Sequence, residues 1–245
     1  MDVLATDREN NILHLTLMVR LCDNHSTDAL SQVSALQDLI QVSDPCVRRV
    51  SEEELHFSLA NFYSRELRGS SFEDVRKKEI EPQVWFNEFK KYCADEYLPE
   101  VGKMQPRFTI KRLYKDEKAG NYGNGSIGIN LVAADSTWRE VLKDISDDAA
   151  KKLEELGVND NEAKEKDKVK MYSDPVKDDQ YPHAVINLFR IFTGASRYSL
   201  KEIAAQLWKI EESLERSPVD FVLTEPVLVI SDQYLFNPDP VILTG

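Results

Sequence analysis

The chain has 245 residues, of which 42% are hydrophobic and 30% are charged, a composition that predicts a soluble globular protein with a sizeable core. Its net charge of −12 argues against a protein that coats nucleic acid non-specifically, because neutralising a phosphate backbone needs an excess of Lys and Arg. The charge is compatible with an enzyme that takes a short RNA end or a nucleotide into a small, locally basic pocket.

The three cysteines, Cys22, Cys46 and Cys93, are widely separated, and none has CxxC or CxxH spacing. Neither a zinc site nor a disulfide framework is therefore expected, and we predict no metal and no cofactor. The N-terminus lacks the basic and apolar segments of a signal peptide, and no apolar run reaches the roughly 20 residues of a membrane helix. We expect an intracellular protein, nuclear or cytoplasmic, that does not associate with a membrane.

The first half of the chain predicts elements in the order β-α-β-α-β-β. Alternating apolar and polar residues indicate the strands, and apolar residues at helical spacing behind a Ser or Thr cap indicate the first helix. Pro82 is expected to split the second helix. The segment AGNYGNG has a turn composition and joins the last two strands. The predicted segments are a strand at 11–21, a helix at 26–41, a strand at 54–63, a helical stretch at 73–97 and strands at 106–115 and 126–133.

The second half predicts helix, strand, helix and then one or two strands. Its most distinctive segment is 159–180, which is charged and has no apolar pattern, so we interpret it as a mobile loop or insertion. An acidic surface there could dock a basic partner protein. Ser199 and Glu202 predict a capping box at the start of the last helix. The predicted segments are a helix at 137–156, a strand at 181–192, a helix at 199–214 and strand structure within 219–236.

This order of elements favours an α+β fold with mixed β-sheets and flanking helices over a doubly wound parallel sheet. We expect one domain, residues 1–245, built as two loosely duplicated lobes at 11–133 and 137–236. A glycine-rich phosphate loop, HExxH and GxSxG are all missing from the sequence, and several enzyme classes are thereby excluded.

Three of the four histidines lie in predicted strands, and each begins a short pattern. Residues i and i+2 of a strand share one face about 6.5–7 Å apart, so an imidazole and a hydroxyl at that spacing can contact one phosphate. Two such strands side by side would supply a general base and a general acid, because an imidazole pKa near 6.5 allows one neutral and one protonated ring. The three patterns are His14-Leu-Thr16, His56-Phe-Ser58 and His183-Ala-Val185.

The sequence LHFSL at 55–59 resembles the first signature of the two-histidine (2H) phosphoesterases, in which Ser or Thr follows a histidine by two positions between apolar residues. YPHAVINL at 181–188 resembles the second signature. The resemblance extends over about residues 11–236. Within the superfamily, the chain is similar to the U6 snRNA-processing phosphodiesterases and to the 2′-5′ RNA ligase-like branch.

The resemblance implies a 2H phosphoesterase fold and a metal-independent phosphodiesterase that acts on RNA or a cyclic nucleotide. His56 and His183 would be general acid and base, in an order that the sequence leaves open, and Ser58 would neutralise the phosphoryl oxygens. The strand of His14 matches the plain strand that precedes the first motif, although replacement of His56 by His14 remains an alternative. Candidate substrate-binding residues are Tyr63 and Tyr181, which could stack on a base, and Asn187, which could donate a hydrogen bond.

The second motif departs from the family pattern at Val185, where a hydroxyl is expected. Val cannot donate to a phosphate oxygen, and loss of one such donor typically reduces the rate by about 10²–10³. The alternative function is therefore a catalytically eroded 2H-like module that binds a nucleotide, an RNA end or a protein partner. Strand alternation places Arg190 on the face opposite His183, which favours an ion pair over a phosphate contact.

Overall fold

The computed structural model describes most of the 245 residues of the chain. They are 12–23, 28–67, 69–104, 107–115, 125–133, 137–158, 184–192, 194–217, 219–222, 226–232 and 241–242. Tyr181 and His183 and the predicted insertion at 159–180 lie outside them.

Two antiparallel sheets form the frame. Sheet A has the strand order β3-β1-β8-β9, and sheet B has the order β2-β6-β5-β4-β7. The strands are β1 (Ile12–Arg20), β2 (Val47–Arg49), β3 (His56–Glu66), β4 (Arg107–Lys115), β5 (Gly125–Ala133), β6 (Ala184–Ile191), β7 (Val219–Val222), β8 (Val227–Asp232) and β9 (Val241–Ile242).

Helices connect and cover the sheets. Pro82 lies in the break between Ile80 and Val84, as the sequence predicts, because proline has no N–H with which to continue a helix. Among the described residues, none of the helices has the length and apolar character that crossing a membrane would require. The α-helices are α1 (Ala29–Asp38), α2 (Phe72–Val75), α3 (Val84–Tyr92), α4 (Leu98–Met104), α5 (Thr137–Glu155) and α6 (Arg197–Arg216), with π-helical turns at Arg76–Ile80 and Cys93–Tyr97.

The predicted α+β class is confirmed, and the sheets require one correction. Each strand pair in the described residues is antiparallel, so the sheets are not mixed. Each sheet also takes strands from both predicted lobes: sheet A combines β1 and β3 with β8, and sheet B combines β4 and β5 with β6. The boundary between the lobes in the sequence therefore does not separate the two sheets.

Asp44 connects the segment before β2 to the start of α6. Its buried carboxylate accepts hydrogen bonds from the backbone N–H groups of Ser196 at 2.7 Å and Cys46 at 2.9 Å. Burial by itself raises the pKa of Asp44. These two bonds and one from the Ser199 hydroxyl together lower the pKa by more than burial raises it, so the net pKa lies below its ordinary value. The helix is capped by Ser196, whose Oγ accepts from the N–H of Tyr198 at 3.2 Å, and the predicted capping box at Ser199 is wrong by one turn.

Strand β1 has two different faces, which decide where the site lies. Its odd-numbered residues from Leu13 to Val19 are at most 2% exposed and belong to the main hydrophobic core. Its even-numbered residues point to the opposite side of sheet A. We call that side the polar face of sheet A. It carries His14, Thr16, Met18 and Arg20 of β1 and the residues of β3 and β8 that pair with them.

Candidate functional site around His56

The pairing of β3 with β1 determines where the first predicted motif lies. His56 is opposite Arg20, and Ser58 is opposite Met18, so both motif residues lie on the polar face of sheet A. No bulge interrupts β3 between them, and the two side chains therefore keep the separation of about 6.5–7 Å expected for positions i and i+2. Both are half-buried. An imidazole and a hydroxyl are thus arranged as the first motif predicts.

The ring of His56 is held in one tautomer. Its Nδ1 lies 2.7 Å from the carbonyl oxygen of Glu54. A carbonyl oxygen can only accept, so Nδ1 carries the proton and donates it. In the neutral ring, Nε2 then holds a lone pair and can accept a proton from another molecule.

The surroundings of His56 favour its neutral form. Burial is the largest cause that lowers the pKa of His56, the Glu54 carbonyl opposes it by favouring the protonated ring, and the positive charge of Arg190 lowers the pKa again, with a net pKa of about 4. The Glu54 carboxylate raises the pKa and Arg20 lowers it, both more weakly. The imidazole is therefore uncharged at neutral pH, the state in which it can accept a proton.

A short connection between the sheets brings His56 close to β6. The N–H of Val50, just after β2, donates to the carbonyl of Leu188 in β6 at 2.9 Å. One helical turn follows, with the N–H of Leu55 donating to the carbonyl of Ser51 at 3.1 Å, and four residues of helix advance the chain only about 6 Å. β3 then starts at His56, and residues of β3 and β6 approach within 8 Å between Cα atoms. The strand of the first motif therefore lies beside the strand that carries the described part of the second motif.

The second motif lies only partly within the described residues. β6 begins at Ala184, directly after His183, and the backbone of Val185 pairs with Asn130 of β5. Asn187 is half-buried in the same strand. The proximity of the His56 and His183 rings, on which the predicted acid–base pair depends, stays a prediction.

A bulge in β6 changes the orientation that simple strand alternation gives Arg190 relative to Asn187. Simple alternation assigns Asn187 and Arg190 to opposite faces, but Asn187 pairs with Gly128 and Phe189 pairs with Ile127, so Leu188 is an extra residue. The bulge reverses the alternation, and Asn187 and Arg190 share one face. Their partial exposure agrees with this register, because Leu188 and Phe189 are at most 3% exposed.

His14 lies too far from His56 to act on the same phosphoryl group. It shares the polar face of sheet A, but it is six residues along β1 from Arg20, the residue opposite His56. At about 3.3 Å per residue, the two histidines are roughly 20 Å apart along the sheet. The alternative in which His14 replaces His56 beside Ser58 is therefore not supported by the register.

Tyr63 does not lie where the predicted base-stacking role requires it. It pairs with Leu15, on the core side of sheet A and away from His56 and Ser58. Its ring centroid lies 5.3 Å from that of Trp85, so it packs between β3 and α3. The tyrosine is a packing residue at the edge of the core.

Three residues near His56 carry no sequence signal that would have identified them. Arg20 and Arg190 belong to none of the sequence motifs, and only the strand register and the bulge bring them near the imidazole. The main contribution of Glu54 is its backbone carbonyl, which any residue type would present, and its carboxylate adds a weaker charge effect. The comparisons with known proteins add no assignment: no protein-family model matches the chain, and no curated protein matches it.

Proposed function

We propose that the protein is a metal-independent phosphodiesterase that acts on an RNA end or a cyclic nucleotide, with His56 as general base and His183 as general acid. The observation that carries the proposal is the hydrogen bond from Nδ1–H of His56 to Glu54, which leaves Nε2 as the proton acceptor of a neutral ring. The same face of sheet A carries Ser58, a hydroxyl suited to a phosphoryl oxygen. A base, a donor and the neighbouring strand that carries part of the second motif support the proposal.

In RNA cleavage, Nε2 of His56 removes the proton of a ribose 2′-hydroxyl while that oxygen forms a bond to phosphorus. The bond from phosphorus to the departing 5′-oxygen breaks, and His183 gives that oxygen a proton. The products are a 2′,3′-cyclic phosphate and a 5′-hydroxyl. With a 2′,3′-cyclic nucleotide as substrate, water attacks phosphorus in place of the 2′-hydroxyl, the bond from phosphorus to one ring oxygen breaks, and His183 gives that ribose oxygen a proton. Ser58 donates to a non-bridging oxygen in both reactions and stabilises the charge that develops there.

The α+β fold class and the antiparallel sheets are compatible with the proposal. The duplicated 2H lobes are part of the proposal, as are the base-binding role of Tyr181 and the hydrogen-bonding role of Asn187.

A second candidate function is a 2H-like module that binds a nucleotide or an RNA end without turnover. The observation in its favour is Val185, which occupies the position of the second hydroxyl and cannot donate. The acidic segment at 159–180 would give either version of the protein a docking site for a basic partner.

Turnover of 2′,3′-cyclic nucleotides and of a short oligo(U), measured in EDTA, tests the proposal. We expect activity in the wild type, loss of activity in His56→Ala and in His183→Ala, and retention in His14→Ala, the matched control about 20 Å away. Activity that survives both of the first two substitutions contradicts the assignment. Binding of the oligonucleotide without turnover by the wild type supports the second candidate function.

A further inference from the structure

The chain between β2 and β3 is anchored where it leaves sheet B. The carbonyl oxygen of Leu188, the extra residue of the β6 bulge, accepts hydrogen bonds from the N–H of Val50 at 2.9 Å and from Nε2 of Gln37 at 2.8 Å. Gln37 is 1% exposed, and its Nε2 also donates to the carbonyl of Val50 at 2.9 Å. Buried carbonyls with defined donors hold one backbone arrangement, so both the bulge and the position of Val50 against β6 are fixed.

The side chain of Glu54 closes the helical turn that follows, residues 51–54. The N–H groups of Glu54 and Leu55 donate to the carbonyl of Ser51 at 3.0 and 3.1 Å. Oε2 of Glu54 in return accepts from the N–H of Ser51 at 2.9 Å and from its hydroxyl at 3.0 Å. A Glu that bonds the N–H of a Ser three residues before it is the Glu half of a capping box, which stabilises the start of a helical turn.

Arg48 connects the same carboxylate to sheet B. Its Nη2 lies 2.7 Å from Oε1 of Glu54, so each of the two carboxylate oxygens has a donor of its own. The Glu54 side chain is only 16% exposed, and hydrogen bonds between charged groups are stronger than those between neutral groups. The carboxylate therefore ties the turn to β2, the strand that contains Arg48.

The backbone of Glu54 carries this constraint to His56. The carbonyl of Glu54 accepts from Nδ1 of His56 at 2.7 Å, and the carbonyl of the next residue, Leu55, accepts from the N–H of Leu21 beside sheet A at 2.9 Å. Because a peptide unit is planar, the direction of the Glu54 carbonyl is set by the backbone dihedral angles of the turn. The side chain that closes the turn thus acts on the same residue whose carbonyl holds the ring.

We propose that the carboxylate of Glu54 is a positioning group for His56. By holding the turn between Arg48 and Ser51, it keeps the Glu54 carbonyl aimed at Nδ1 and thereby keeps Nε2 of the neutral ring unprotonated. The role of Nε2 as proton acceptor rests on the proposed function, whereas the tautomer is a property of the protein without substrate. Glu54 acts only through His56, as an oriented acceptor does when it holds a general base in its working tautomer.

Nitrogen NMR of the His56 ring at pH 7 tests the inference in the free protein. We expect the Nδ1–H tautomer in the wild type and a mixture with the Nε2–H tautomer in Glu54→Ala, because the turn loses its contacts to Arg48 and Ser51. Glu54→Met, which keeps the length of the side chain without an acceptor, should give the same mixture. Glu54→Gln keeps one acceptor oxygen and should retain more of the Nδ1–H form than either.

Glu53→Ala is the matched control, because it removes the same charge from an exposed side chain one position earlier in the turn. It should leave the tautomer as in the wild type. A pure Nδ1–H tautomer in folded Glu54→Ala or Glu54→Met would overturn the inference, since the turn would then orient the carbonyl without the carboxylate.

Turnover of a 2′,3′-cyclic nucleotide separates positioning from substrate binding. We expect Glu54→Ala to lower kcat by about 10–10²-fold and to leave KM close to the wild-type value, because a misplaced base loses rate without losing a substrate contact. Glu54→Gln should restore part of kcat. In an active enzyme, equal kcat values in Glu54→Ala and Glu53→Ala would overturn the inference.

The two proposals fail in different ways. A tautomer that changes in Glu54→Ala, in a protein that turns over none of the RNA or cyclic substrates, keeps the positioning of His56 by Glu54 and removes the phosphodiesterase activity. Turnover that depends on His56 and His183 but is unchanged in Glu54→Ala keeps the activity and removes the role of the Glu54 carboxylate.

Discussion

The imidazole of His56 donates from Nδ1 to the carbonyl oxygen of Glu54, two residues before it, at 2.7 Å. This contact connects the turn between the sheets to the first residue of β3. It fixes the tautomer of the ring and, with burial, determines which proton-transfer role the residue can perform.

The stability of the protein should decrease as the pH falls from about 6.5 toward 4. The folded-state pKa of His56 is about 4 and its ordinary value is 6.5, so between these values the unfolded chain binds a proton that the folded protein excludes. The free energy of unfolding should fall by about 2–3 kcal/mol from this residue. Urea denaturation of the wild type and of His56→Gln at pH 7 and 4.5 measures it. If the free energy of unfolding falls equally in the two proteins between pH 7 and pH 4.5, the result contradicts the lowered pKa of His56.

The pH dependence of kcat/KM should report the same group. A general base with a pKa of about 4 in the free enzyme keeps kcat/KM constant from pH 7 down to about 5, and the value falls only below that. The measurement is a rate profile on a 2′,3′-cyclic nucleotide. If kcat/KM instead falls to half of its maximum near pH 6.5, His56 titrates like an exposed histidine and the lowered pKa is contradicted.

Restoring the second hydroxyl should increase the rate of an active enzyme. Val185→Thr is nearly isosteric and adds a donor two residues after His183, so we expect kcat to rise by up to about 10²-fold. Val185→Ala is the control for a change of side chain without a donor. If kcat does not rise in Val185→Thr although the protein binds the oligonucleotide, the result supports a binding module.

Loss of the Gln37 amide should destabilise the fold and disturb Arg190. Gln37→Met keeps the volume but leaves the Val50 and Leu188 carbonyls without these donors, so the free energy of unfolding should decrease by about 1–3 kcal/mol. Gln206→Met is the matched control, because Gln206 also makes two backbone hydrogen bonds, to Gln41, at an exposed position. If urea denaturation shows the same loss of unfolding free energy in Gln37→Met and Gln206→Met, then burial does not make the Gln37 hydrogen bonds more stabilising.

Removal of the Asp44 carboxylate should also be costly. Asp44→Ala leaves the N–H groups of Cys46 and Ser196 without their acceptor, with an expected loss of about 2–3 kcal/mol. Asp38→Ala, which removes an exposed ion pair with Arg49, should cost at most about 1 kcal/mol. The lowered pKa of Asp44 predicts that its contribution is full above pH 4 and disappears below it. Melting curves of both variants at pH 7 and pH 3 provide the measurement.

Local patterns in the sequence were sufficient for much of the fold. Alternation predicts β1 and β6, the spacing of apolar residues predicts α5 and α6, and Pro82 predicts the break between two helices. The positions of β2 and β9 could not be predicted, because segments of three and two residues carry no periodic signal and exist only through their partners in the sheet.

By itself, the sequence determined the α+β class and the placement of His56 and Ser58 on one face, because both follow from the repeat of a single strand or helix. Only the tertiary structure decided that His14 lies far from His56, that Arg190 turns toward the face of Asn187 and that the His56 ring is neutral. Each of these depends on strand register, on a bulge held by residues distant in the chain, or on burial and nearby charge. Such quantities arise from long-range pairing and desolvation, which no local pattern of residues encodes.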